Sequence, residues 1–95
     1  MVIQVRQFVD AANTADKGSL VLSAILNALR SDDKVTVSFH GVTTATSSFV
    51  NVAFVGLLDY LSLSEIKRRI RVVDSTRQIN DMIKTRLERE TSVAA

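Results

Sequence analysis

The stretch from Lys34 to Leu61 constrains this chain most, because it reads as strand, polar turn and apolar helix in direct succession. Val35, Val37 and Phe39 alternate with Thr36, Ser38 and His40, the alternation of a half-buried strand. Gly41 to Ser48 is a run of small, mostly hydroxyl-bearing residues. Phe49 to Leu61 is then apolar except at Asn51, Gly56 and Asp59, which predicts one helix buried over most of its circumference. Ser47 and Ser48 therefore stand where a central strand hands over to a buried helix. The candidate site is placed there.

The rest of the chain supplies partners for that unit. Val2 to Phe8 reads as a first strand, with Ile3 and Val5 on one side and Gln4 and Arg6 on the other. Asp10 to Gly18 reads as a polar connection, and Ser19 to Arg30 as a helix with Leu22, Ile25, Leu26 and Leu29 on its apolar stripe. Ser31, Asp32 and Asp33 make the turn into the Lys34 strand. Ser62 to Glu65 has the spacing of a capping box, with Leu61 and Ile66 as its hydrophobic staple, and opens a short helical turn to about Arg68. Ile70 to Asp74 reads as a third strand. Ser75 to Gln78 is a second box-like start, leading into an amphipathic helix with Ile79, Met82, Ile83 and Leu87 inward. A frayed tail is expected over residues 91–95.

The order β-α-β-α-β-α predicts a two-layer α/β sandwich with a small, mainly parallel sheet. Strands covered on both faces read as continuous apolar runs, whereas these alternate. The helices are therefore expected mostly on one face. The other face is expected to show Gln4, Arg6, Thr36, Ser38 and Arg71 to water or to a partner.

Length allows one domain, residues 1–95, and an apolar share of 46% supports a folded core rather than disorder. There is no cysteine, which excludes disulfides, thiolate metal sites and a cysteine nucleophile and fits a reducing cytoplasm. No apolar run is long enough to predict a membrane span, and the first residues lack the apolar centre of a signal peptide.

The segment Val35 to Leu58, VTVSFHGVTTATSSFVNVAFVGLL, resembles the STAS-like family, small relatives of anti-sigma-factor antagonists. The likeness rests on the V-x-V-x-F strand, the Gly41-Val42 pair, and Ser47-Ser48-Phe49 opening the helix; it extends more weakly from Gly18 through the last helix. In the best-known antagonists this turn reads Asp-Ser-Ser-Gly, and a partner kinase that doubles as the anti-sigma factor phosphorylates the second serine. The resemblance makes Ser48 the candidate phosphorylation site and Ser47 its neighbour. Thr46 stands where the acid would be, and Phe49 where the glycine would be. It also implies a kinase-like or other regulatory protein partner, docking on a turn formed by His40, Thr46, Ser47 and Phe49.

Physical chemistry reads the same residues without any family. Thr46 or Ser47 is placed to cap the buried helix, with Ser48 in its first turn. A phosphate there would meet free backbone amides and the positive end of the helix dipole. The plainer alternative is that these hydroxyls only cap and turn the chain.

Lys67, Arg68, Arg69 and Arg71 form the densest basic cluster, but no aromatic residue interleaves them, so a solvated turn is favoured over nucleic-acid binding. His40 has no second histidine to work with, and its nearest acid in sequence, Asp33, lies before the strand. No glycine-rich phosphate loop, metal-ligand spacing or cofactor motif is present, which argues against an enzyme. Two readings follow: a regulatory protein-interaction module switched at Ser48, or a small adaptor or inhibitor without a switch. The second would bind by its sheet face or as a homodimer.

Overall fold

The computed structural model describes residues 1–93. Three parallel strands form one sheet in the order β1 (Val2–Gln4), β2 (Val35–Ser38), β3 (Ile70–Val73). β2 is central, pairing Ile3 with Val37 on one side and Val72 with Val37 on the other. The chain connects the strands through α1 (Ala15–Ser31), then α2 (Ser47–Ala53) and α3 (Leu63–Arg69), and ends in α4 (Arg77–Val93). When strands follow each other across a sheet without reversal, right-handed crossovers put both connections on one face. The fold is thus a two-layer α/β sandwich. Val35, Val37 and Phe39 are buried beneath the helices, while Val2 and Arg71 on the opposite face are exposed.

Phe49, Val50 and Ala53 turn α2 into the core, and Phe39 and Phe54 stack there with centroids 6.0 Å apart. Aromatic pairs in that arrangement contribute about 0.5–1.5 kcal/mol beyond their burial. The expected helix Phe49–Leu61 is in fact two pieces. After α2 the backbone tightens at Phe54 into a 3-10 segment, Val55–Asp59. Tyr60 at its end is exposed, so the apolar run outlasts the buried surface available to it. Ser62 then caps α3 with the full reciprocal capping box to Glu65. Among the described residues no single helix is long and apolar enough to cross a membrane. The apolar pair Ser47–Asp59 and Leu63–Arg69 bends by 110°.

Four further expectations change. The first strand stops at Gln4, because Val5–Gln7 winds into a 3-10 turn that buries Val5 and leaves Arg6 and Phe8 outside the sheet. α1 begins at Ala15, capped by the Thr14 hydroxyl, so Gly18 lies inside the helix rather than before it. The reason is close approach: a Cβ on Gly18 would come within 2.7 Å of the Phe49 carbonyl oxygen in α2. Ser38 is buried, not exposed on the open face. Of the tail expected over 91–95, residues 91–93 continue α4; Ala94 and Ala95 lie outside the described residues.

Candidate functional site at the carboxyl ends of the strands

Beyond β2 the chain turns sharply, with Val42 N–H donating to Phe39 C=O at 2.8 Å. Gly41 takes φ +82°, the left-handed backbone that a turn of this kind demands and glycine supplies without strain. The Arg6 guanidinium lies over it and donates to its carbonyl at 3.1 Å. Val42 and Ala45 are buried and anchor the turn, while Thr43 and Thr44 stay exposed.

Both neighbouring connections hold this turn. On the β1 side, Ala12 forms a parallel bridge with Ala45, and Thr46 N–H donates to Ala12 C=O at 3.0 Å. On the β3 side, the Thr76 hydroxyl donates to Thr43 C=O at 2.9 Å. The Gln78 amide pairs with both backbone groups of Ala45, accepting from its N–H and donating to its C=O, each at 3.0 Å. The turn thus continues the sheet by other means, with a side chain standing in for a strand.

Thr46 is the helix cap: its hydroxyl accepts from Phe49 N–H at 3.3 Å. Ser47 and Ser48 are the first and second helical residues, Ser47 half-buried and Ser48 exposed. His40 is exposed two residues after β2, at the start of the turn. Phe49, expected to face a partner, is instead fully buried. It heads the apolar stripe of α2 and braces the turn from behind, so it cannot touch a partner directly.

Beneath His40 lies a pair that the sequence reading missed. The Ser38 hydroxyl donates to the Asp74 carboxylate at 2.8 Å and accepts from His40 N–H at 3.3 Å. Asp74 adopts φ +55°, unusual for a residue with a side chain. These bonds satisfy the hydroxyl and explain how a serine on the open face becomes only 2% exposed. Gln78 was equally hidden, since its spacing from Ser75 suggested a local capping box. The cap of α4 is Thr76, whose hydroxyl accepts from Ile79 N–H at 3.4 Å.

A cleft of about 370 Å³ is lined by the 10–13 segment and the 41–46 turn. On its rim Lys17 pairs with Asp10 at 2.7 Å and donates to Asn13 at 3.1 Å. The hydrogen bond and then the charge of Lys17 lower the Asp10 pKa below the usual carboxylate range.

The basic cluster sits at the other end of the strands. Lys67, Arg68 and Arg71 are exposed, and Lys34 joins them around a cleft of about 350 Å³. Arg69 serves the fold instead. It donates to Asp33 C=O at 2.9 Å and Leu29 C=O at 3.5 Å, and it faces the Asp33 carboxylate at 3.6 Å. Among the described residues no group of three or more acidic, histidine or cysteine side chains is placed to hold a metal ion.

A parallel sheet backed by helices, with a capped helix opening just beyond its central strand, defines a small α/β domain of the STAS type. The family model described as a STAS-like domain of unknown function (DUF4325) matches residues 17–80. The chain belongs to this STAS-like family. No curated protein and no solved structure matches it.

Proposed function

We propose that this chain is a non-enzymatic, cytoplasmic regulatory module that docks a protein partner on the 40–48 turn and is switched by phosphorylation of Ser48. One observation carries the reading: Ser48 stands exposed at the head of α2 while the turn before it is pinned from both sides. A surface fixed before binding loses little conformational entropy on docking. A phosphoryl group on the Ser48 hydroxyl would add about −1.5 to −2 charges to its rim. A partner with an acidic or apolar surface would be expelled; one offering arginines would be recruited.

A second reading is favoured by Thr46, which occupies the place of the acid and is spent as a helix cap. On this reading the protein is an adaptor or inhibitor that keeps the turn without the switch. Intact-mass measurement of protein from its native host separates the two by showing one added phosphoryl group or none. Partner affinity and melting temperature of Ser48→Ala and Ser48→Asp are measured together. The switch predicts that Ser48→Asp alters affinity at unchanged melting temperature. Unmodified protein in the host, with partner binding indifferent to both substitutions, leaves the adaptor.

A further inference from the structure

β3 is an edge strand, and its outward groups can be assigned. Phe39 N–H donates to Val73 C=O at 3.0 Å, so Val73 turns its backbone groups toward β2. Backbone direction alternates along a strand, so Arg71 also faces β2 while Ile70 and Val72 face outward. Ile70 N–H is taken by Ile66 C=O at the end of α3. Among the described residues this leaves the Ile70 carbonyl and both backbone groups of Val72 open on the edge.

Directly beside that edge the helix layer has a gap. Leu63 of α3, Val72 of β3, and Ile83 and Leu87 of α4 line a groove of about 210 Å³, room for a large apolar side chain. Lys67 and Lys84 stand on its two helix walls. Arg68, Arg71 and Lys34 continue the positive charge around the cleft beside Ile70. None of these five cations forms an ion pair with a described residue. Glu88 also borders the groove and has an interaction of its own.

We propose that the free edge of β3 and the adjoining α3–α4 groove dock an extended acidic segment of a partner protein, which adds as a fourth strand with an apolar side chain in the groove. Three features select this occupant. The open Val72 amide and carbonyl ask for a backbone, which a peptide supplies and a nucleic acid does not. The groove is apolar and takes alternate side chains of a strand, and the cations on both sides call for carboxylates. The groove beside the other edge strand, β1, has no charged side chain among its described lining residues.

The probe is a short capped peptide alternating leucine with aspartate or glutamate, titrated into the full chain at low salt and followed by backbone amide NMR. Expected is saturable binding with shifts concentrated on Ile70 to Val73 and on Ile83 and Lys84. The exposed double substitution Lys67→Glu with Lys84→Glu should weaken binding by about tenfold or more at unchanged melting temperature. Raising the salt should weaken it in the same direction. A peptide with lysines in place of the acids should not bind. Four results would overturn the proposal: no saturable binding, shifts centred elsewhere, equal binding of the lysine peptide, or indifference to the double substitution. Concentration-dependent shifts of the same amides without peptide would assign the edge to a second copy instead. Binding of a polyuridylate RNA at these amides, with none by the peptide, would assign it to nucleic acid.

Discussion

The two ends of the sheet are built on opposite plans. At the carboxyl ends of the strands, the 41–46 turn receives hydrogen bonds from Arg6, the Thr76 hydroxyl and the Gln78 amide, while Thr46 N–H reaches back to Ala12. At the amino ends, Lys34, Lys67, Arg68 and Arg71 surround a cleft, and among the described residues only Arg69 of this cluster is tied down. The first end is fixed and nearly neutral, suited to recognition by shape. The second presents a field, which acts at a distance and is weakened by salt. One small domain thus offers two surfaces that different physics would read.

Both ends are lost together if the central strand that joins them is disrupted. Val37→Asp puts an unpaired charge at a fully buried position in β2. The penalty of several kcal/mol is set against a total stability of about 5–15 kcal/mol. Circular dichroism should show no cooperative unfolding transition at room temperature and above.

Gly18→Ala strains the carboxyl end alone. Its Cβ meets a backbone oxygen at 2.7 Å and Val52 Cβ at 3.1 Å, so α1 and α2 must separate. Overpacking of this kind destabilises by about 1–3 kcal/mol, against a gain of at most about 1 kcal/mol in helix propensity. A melting temperature equal to or above that of the parent would show that the helices do not meet there.

Gln78→Ala removes a bidentate partner from Ala45, and with water able to replace part of it the loss should be about 1–2 kcal/mol. Hydrogen exchange is the sharper reading. The Ala45 amide should lose protection while the amides of α3 keep theirs.

Thr46→Ala should lower stability by about 0.5–2 kcal/mol, since it deletes the cap of α2. Ser48→Ala, exposed and not the cap, should stay within about 0.5 kcal/mol of the parent in chemical denaturation. Equal effects of the two would mean that the cap has been assigned to the wrong hydroxyl. Smallest of all, Lys67→Glu with Lys84→Glu should leave the melting curve nearly unchanged, because both lysines are exposed and neither forms an ion pair with a described residue.

What the amino-acid sequence specifies by itself is local or periodic. The alternation of Val35, Val37 and Phe39 placed the central strand, and Ser62 with Glu65 placed the start of α3, because a strand's burial repeats every second residue and a capping box spans three. The choice between Thr46 and Ser47 as cap stayed open, since either hydroxyl suits that position until the backbone of one is seen to be extended.

Tertiary structure decided the rest. Gly18 looked like a loop glycine because the feature that requires it, the Phe49 carbonyl, belongs to another helix. Ser38 looked like a solvent-facing residue because Asp74, which buries its hydroxyl, is 36 positions away. Gln78 looked like part of a local cap, and its actual partner Ala45 lies 33 positions back. Burial periodicity and helix caps are written within a few residues of sequence. A side chain that completes another segment's backbone is specified only when the folded chain brings the two together.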